Sequence, residues 1–152
     1  MNERELEQYL YKHIPLSLMM QVSVNNVQND SISLRAPSTP NIYHTNSVFG
    51  GSSSALAILS AWSLLYVHMS NLNIVCSIVI QRNNMEYEKP IHGSFSANSC
   101  ITHPELLAQF MKTLSRRGKA RIEISSLIKH EDKIVGKFNG EFVVVKEKDR
   151  VK

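Results

Sequence analysis

Apolar positions recur with the period of an α-helix in three stretches of the chain. The first lies at the N-terminus and ends at Pro15. The second, residues 52–69, is apolar around most of its circumference, which predicts a helix wrapped by other elements rather than laid on a surface. The third begins with the capping-box pattern Thr102-x-x-Glu105 and ends at Gly118.

Strand-like alternation fills most of the remaining chain. The predicted strands cover residues 21–27, 31–36, 74–88, 91–101, 120–128 and 133–147. The turn sequences QNDS and HED join the first two and the last two strands as hairpins. Six strands and one helix that is hydrophobic all round predict an α+β fold, in which an antiparallel sheet curls about that helix. Such a sheet exposes edge strands, and a dimer commonly covers them.

Composition and charge narrow the possible functions. At 152 residues, 43% hydrophobic and 20% charged, the chain is expected to be one globular domain over residues 1–152. The net charge of +4 permits an anionic ligand but lacks the clustered basic and aromatic residues of a nucleic-acid-binding protein. Residues 36–81 contain no Asp, Glu, Lys or Arg, yet the apolar run 55–67 is too short to span a membrane.

Cysteine usage and the N-terminus indicate a compartment. Cys76 and Cys100 show neither metal-ligand nor disulfide-framework spacing, and no spacing of the six histidines indicates a metal site. The N-terminal residues are charged and amphipathic, unlike a secretion signal. We therefore expect a cytoplasmic protein that neither holds a metal nor inserts into a membrane.

A glycine pair precedes the uncharged helix. Gly50 and Gly51 leave backbone N–H groups unshielded where the helix dipole favours negative charge. An ester or thioester carbonyl placed there would find donors for its developing oxyanion. The alternative is a glycine turn that lets a buried helix pack closely. Ser52 follows, but without the GxSxG nucleophile pattern it is more simply a helix cap.

Three groups of polar residues are further candidates. His44, with Asn41 in the same loop, could act as a general base or orient a water, or could simply be solvated. A carboxylate of the segment Glu86–Tyr87–Glu88 could reach a site formed across a dimer, or could be solvated at a strand end. The basic cluster around Arg117 could meet phosphates of a nucleotide-bearing ligand, or simply form a charged helix end.

A resemblance to a known family rests on motifs along nearly the whole chain. They are IPLS (14–17), AP (36–37), Asn41, His44, FGGS (49–52), ALAILSAW (55–62), IVIQ (78–81), Tyr87, Pro90 and RRGKARI (116–122). With these motifs the chain resembles the hot-dog fold, an antiparallel sheet wrapped around one long helix. More narrowly, it resembles the thioesterase family that forms the C-terminal domain of YiiD-type proteins.

The resemblance implies a homodimer, or a dimer of dimers, with a site between subunits at the start of the central helix. It implies an acyl thioester of coenzyme A or of an acyl carrier protein as ligand, with no cofactor beyond the coenzyme A of the substrate. The Gly51 amide, with Ser52, would hold the oxyanion, and Asn41 and His44 would complete the catalytic set. The residues expected to bind substrate are Tyr43, Phe49, Gly50, Glu86, Tyr87 and Arg117.

One departure from the family leaves two functions open. Many hot-dog thioesterases carry an Asp or Glu on the central helix about seven residues after the second glycine, where this chain has Ile58. The first hypothesis is an acyl-CoA or acyl-carrier-protein thioesterase with another base. The second is a non-catalytic dimer that binds acyl thioesters as a carrier or sensor. An acyl dehydratase on the same fold is a third hypothesis, which the missing acid disfavours.

Overall fold

The computed structural model describes residues 1–148, so the last four residues of the predicted domain lie outside the described range. Its helices are α1 (Glu3–His13), α2 (Pro15–Met19), α3 (Gly50–Asn71) and α4 (Pro104–Arg117). Its strands are β1 (Ser23–Val27), β2 (Ser31–Ala36), β3 (Cys76–Tyr87), β4 (Phe95–Cys100), β5 (Lys119–His130) and β6 (Lys133–Lys146).

The strands form one antiparallel sheet in the order β1-β2-β4-β5-β6-β3. The two predicted hairpins, β1–β2 and β5–β6, are confirmed. The sheet curls around α3, which packs against β2 to β6. The predicted α+β hot-dog architecture is therefore confirmed.

The central helix α3 is the core of the fold. It is long and apolar enough to cross a membrane, but more than half of its apolar window is buried inside the protein. Its buried side chains face the sheet, and none of its 22 residues is Asp, Glu, Lys or Arg, so no charge has to be paired on burial. The apolar stretch is therefore a core helix and not a membrane span.

Ser60 of α3 is buried within a cluster of paired serine hydroxyls, whereas the Oγ atom of Ser63 on the same helix is buried without a partner among the described residues. Ser60 Oγ lies 2.8 Å from Ser99 Oγ on β4, and Ser99 Oγ is hydrogen-bonded to Ser126 Oγ on β5. Ser60 also donates to the carbonyl oxygen of Ala97, and Ser126 donates to that of Ala57. Because every hydroxyl of this cluster has a partner, small polar residues let the helix and the sheet approach closely at little energetic cost.

Two helix starts differ from the sequence prediction. α3 begins at Gly50 and not at Ser52, so the glycine pair forms part of its first turn. α1 ends before Pro15, as predicted, but Pro15 also opens the short helix α2, because proline is accommodated at the first position of a helix.

The predicted capping box of α4 is wrong. The N-cap residue is His103, one position after Thr102, and no side chain caps the helix. Pro104 occupies the first turn and has no N–H group, which removes one of the donors that a cap would satisfy. At the other end Gly118 terminates α4 with a φ of 71°, as predicted, because glycine adopts this left-handed conformation without strain.

Two leucines near the C-terminal end of α3 test how much the wrapped helix contributes to stability. Leu65 is fully buried, whereas Leu72 is 50% exposed. Leu65→Ala should lower the free energy of unfolding by about 2–5 kcal/mol, through lost burial and the cavity left behind. Leu72→Ala should change it by no more than about 0.5 kcal/mol. Equal losses in urea denaturation would contradict this assignment of the core.

Candidate active site

A cleft of about 450 Å³ opens at the N-terminal end of α3. The loop before α3, the first turn of α3, the end of β3 and its following turn, and the facing parts of β5 and β6 line it. Four buried apolar residues line it, namely Val48, Ile91, Ile128 and Val135. This volume and apolar lining are typical of a small-molecule site. We refer to it below as the helix-start cleft.

Backbone N–H groups of the first turn of α3 lie near this cleft: Gly50 is among the lining residues, and Gly51, which follows it in the helix, is not. Among residues 1–148, no protein group accepts a hydrogen bond from the N–H of Gly50 or Gly51. We call these two N–H groups the helix-start amides. The N–H of Ser52 is already bonded to the carbonyl oxygen of Phe49, at 2.9 Å. The Gly51 amide expected from the sequence is thus available to a ligand, whereas the Ser52 amide is engaged.

Aromatic rings flank the helix-start amides. A Cβ atom on Gly51 would lie 2.5 Å from Cε1 of Phe49, and one on Gly50 would lie 3.2 Å from Cε1 of Tyr87. A side chain at position 51 would displace the ring of Phe49, and one at position 50 would require the ring of Tyr87 to shift by a few tenths of an ångström. The two explanations of the glycine pair, close packing and exposed amides, are therefore compatible in this structure.

Asn41 organises the loop that leads into α3. Its side chain is 2% exposed, and Nδ2 donates to the carbonyl oxygens of Met20, at 3.0 Å, and Pro37, at 2.8 Å. Its own carbonyl oxygen accepts from the N–H of Phe49, at 2.8 Å. Oδ1 is buried without a partner among the described residues. Asn41 thus positions the start of α3, and it is not among the residues that line the helix-start cleft.

His44 lies on the outer part of the same loop. It is exposed, and its ring packs edge-on against Tyr43 with the ring centroids 5.0 Å apart. Tyr43 lines the helix-start cleft, but His44 does not. The hydroxyl groups of Thr45 and Ser47 hydrogen-bond to Tyr43 and lower the pKa of its phenol.

The register of β3 separates the residues of the segment 86–88. Tyr87 pairs with Gly136 and contacts α3 at Gly50, so it lies on the inner face of the sheet and lines the helix-start cleft. Glu86 pairs with Lys137 and, one residue away in the strand, lies on the outer face. Glu88 follows the end of the strand and belongs to the cleft lining, with Oε1 3.4 Å from Nζ of Lys137.

Arg117 lies far from the helix-start cleft of the same chain. It ends α4 next to Lys119, the first residue of β5. Ile128, which lines the cleft, is nine residues further along β5, a distance of roughly 30 Å in a strand. The fold therefore brings Tyr43, Phe49, Gly50, Gly51 and Tyr87 together, but not Arg117.

Sequence reasoning missed several residues of the cleft, among them Met85 and Gly136. Met85 could have been identified as a neighbour of Tyr87, because residues two apart in a strand share a face. Gly136 carried a weaker signal, since a glycine inside a strand indicates close approach of another group. Among residues 1–148, no three His, Cys, Asp or Glu residues are arranged to hold a metal ion.

Comparisons with known proteins agree with this architecture. A family model described as "Putative thioesterase (yiiD_Cterm)" matches residues 3–146. A protein of unknown function from Chlorobaculum tepidum is 31% identical, with a TM-score of 0.88 over 95% of this chain and 94% of that one. A putative thioesterase from Shewanella oneidensis is 24% identical, with a TM-score of 0.83 over 94% and 96% of the two chains. A thioesterase from Haemophilus influenzae shares the fold at 13% identity, with a TM-score of 0.78 over 100% and 96%.

The structural role of Asn41 predicts the effect of an isosteric substitution. Asn41→Asp removes the Nδ2 donor and leaves two carbonyl oxygens facing a carboxylate, so the free energy of unfolding should fall by about 1–3 kcal/mol or more. The exposed Asn25→Asp is the control and should change stability by at most about 0.5 kcal/mol. Equal denaturation midpoints for Asn41→Asp and the wild type would contradict this positioning role.

Proposed function

The chain belongs to the YiiD C-terminal thioesterase family, and on that premise we propose that it hydrolyses acyl thioesters of coenzyme A or of an acyl carrier protein at the helix-start cleft. The observation that carries the proposal is the pair of helix-start amides beside an apolar cleft. Amides at a helix N-terminus suit a developing negative charge, and an apolar cleft suits an acyl chain.

The helix-start amides would act on the thioester carbonyl. As water attacks the carbonyl carbon, the oxygen gains negative charge, and each N–H donor can stabilise this oxyanion by up to about 3–4 kcal/mol. Collapse of the tetrahedral intermediate breaks the C–S bond, and the thiol leaves with a proton while the acyl group departs as a carboxylic acid. Phe49 and Tyr87 flank the amides and provide apolar surface beside the oxyanion.

The base that activates water has to come from outside α3, because that helix carries no acidic residue and has Ile58 at the position where many relatives place one. We assign the role to Glu88, since it is the carboxylate-bearing residue among those that line the helix-start cleft. Because its Oε1 atom lies 3.4 Å from Nζ of Lys137, a residue of the outer face, the carboxylate has to leave this ion pair to act on water beside the amides. Glu86 faces the opposite side of the sheet. His44, the base expected from the sequence, is the second candidate, on the loop beside Tyr43.

We further propose that two copies pair through β3. This strand is 12 residues long and lies at the edge of the sheet, where its outer hydrogen-bonding groups form a template for another strand. Beside it, α3 leaves Ile58, Trp62 and Tyr66 only partly buried, on one face of the helix. A two-fold dimer would cover both features and would bring the two clefts onto one assembly; two such dimers could associate further.

We place the reaction in the cytoplasm. Cys76 and Cys100 are both free thiols, which suits a reducing compartment.

Coenzyme A takes part only as the carrier portion of the substrate. The basic cluster around Arg117 would meet the phosphates of coenzyme A only if it came from a partner subunit or if the ligand were long.

The acid-free helix α3 favours one alternative function, a dimer that binds acyl thioesters as a carrier or sensor without hydrolysing them. Such a protein would use the same apolar cleft and the same helix-start amides. Calorimetry with an acyl-CoA separates the two functions, because saturable binding without release of free thiol would favour the carrier or sensor.

Substitution of Glu88 tests the proposed chemistry. Glu88→Gln should lower the rate of thiol release from acyl-CoA substrates by about 100-fold or more, because the amide cannot accept a proton from water. Glu86→Gln is the matched comparison on the outer face of the same segment and should retain the wild-type rate. A selective loss in His44→Ala, with Glu88→Gln unaffected, would transfer the role of base to His44. No turnover by the wild type on acyl-CoA or acyl-carrier-protein substrates would refute the thioesterase proposal.

The mass in solution tests the pairing through β3. Light scattering coupled to gel filtration should give twice, or four times, the 17.2 kDa mass of the chain. A monomer at micromolar concentration would contradict the pairing through β3.

A further inference from the structure

Met85 and Gly136 meet at the floor of the helix-start cleft. A Cβ atom on Gly136 would lie 3.0 Å from Cε of Met85 and 3.4 Å from Cβ of Ile128. The methyl group of Met85 therefore occupies the space that a side chain at position 136 would fill. The missing side chain of Gly136 and the long side chain of Met85 together set the depth of the cleft at this point.

The floor lies on a direct path from the helix-start amides. Tyr87 contacts α3 at Gly50, and Met85 is the next residue on the same face of β3. Two residues along a strand correspond to about 6.6 Å. A chain that starts at the amides and runs inward along β3 passes the ring of Tyr87 and then reaches the methyl group of Met85.

The surroundings of this path exclude a polar tail. Ile128 is fully buried, and Val135 and Ile91 are 5% and 6% exposed. These side chains offer no hydrogen bond, so a polar group would be desolvated there without compensation. The side chain of Met85 is flexible and apolar, and it can adapt to the end of an alkyl chain.

We propose that Met85 determines substrate specificity by ending the acyl channel above Gly136, so that the preferred substrate is a thioester of a short, unbranched aliphatic acid. The inference rests on the proposed thioesterase site, since it locates the acyl chain relative to the helix-start amides. It concerns binding and does not require hydrolysis.

The experiment measures binding of S-alkyl coenzyme A thioethers, which cannot be hydrolysed, in a graded series from ethyl to dodecyl. For the wild type, each added methylene group should tighten binding by about fourfold until the chain reaches Met85, and further groups should give no gain or weaken binding. In Met85→Ala the optimum should move to chains longer by about three carbon atoms, the number of heavy atoms removed from the channel end.

Two variants control for indirect effects. Met85→Leu keeps the bulk at the channel end and should keep the wild-type optimum, and Asn84→Ala, on the outer face of the same strand, should do the same. Thermal unfolding of all variants checks that they are folded. If Met85→Ala is only marginally stable, the difference between its chain-length profile and that of Met85→Leu decides whether Met85 ends the channel.

The outcomes separate this inference from the proposed function. An unchanged chain-length optimum in folded Met85→Ala, with tight thioether binding, would overturn the inference and leave the thioesterase proposal standing. Wild-type protein that binds no thioether of any length, and that turns over neither acyl-CoA nor acyl-carrier-protein substrates, would overturn both. A wild-type optimum at dodecyl would show that Met85 does not end the channel.

Discussion

Burial of a long helix without charge is the constraint on which the rest of the structure depends. Because α3 brings no Asp, Glu, Lys or Arg into the interior, the sheet can close around it with apolar contacts and a few paired serine hydroxyls. The sheet contacts α3 through five of its six strands, so the start of the helix is held in a defined place. The helix-start cleft forms where this wrapping ends.

The start of α3 combines packing and chemistry in the same residues. Gly50 and Gly51 have no side chains, and this lets the rings of Tyr87 and Phe49 approach the backbone. The same absence of side chains leaves the helix-start amides accessible beside the cleft. The loop anchored by Asn41 fixes the position of Phe49, and the packing of a core helix thereby prepares a site for a developing negative charge.

The sequence predicted most of the fold and part of the candidate site. The long helix, the strands and the two hairpins follow from periodicity and turn residues, which act locally. Gly51 could be singled out for the same reason, since a glycine pair before an apolar helix is a local pattern. The contact between Met85 and Gly136 could not be predicted, because it depends on the register between β3 and β6, two strands separated by some fifty residues.

By itself, the sequence determined that an uncharged helix forms the core and that a glycine pair stands at its entrance, because hydrophobic periodicity and side-chain size are properties of neighbouring residues. Only the tertiary structure decided which side of the sheet each polar residue faces. A shift of one residue in a strand moves a side chain to the other face, so Glu86 and Tyr87 separate although they are adjacent in the chain. The distance of Arg117 from the helix-start cleft was likewise decided by the length and direction of β5, which no local pattern records.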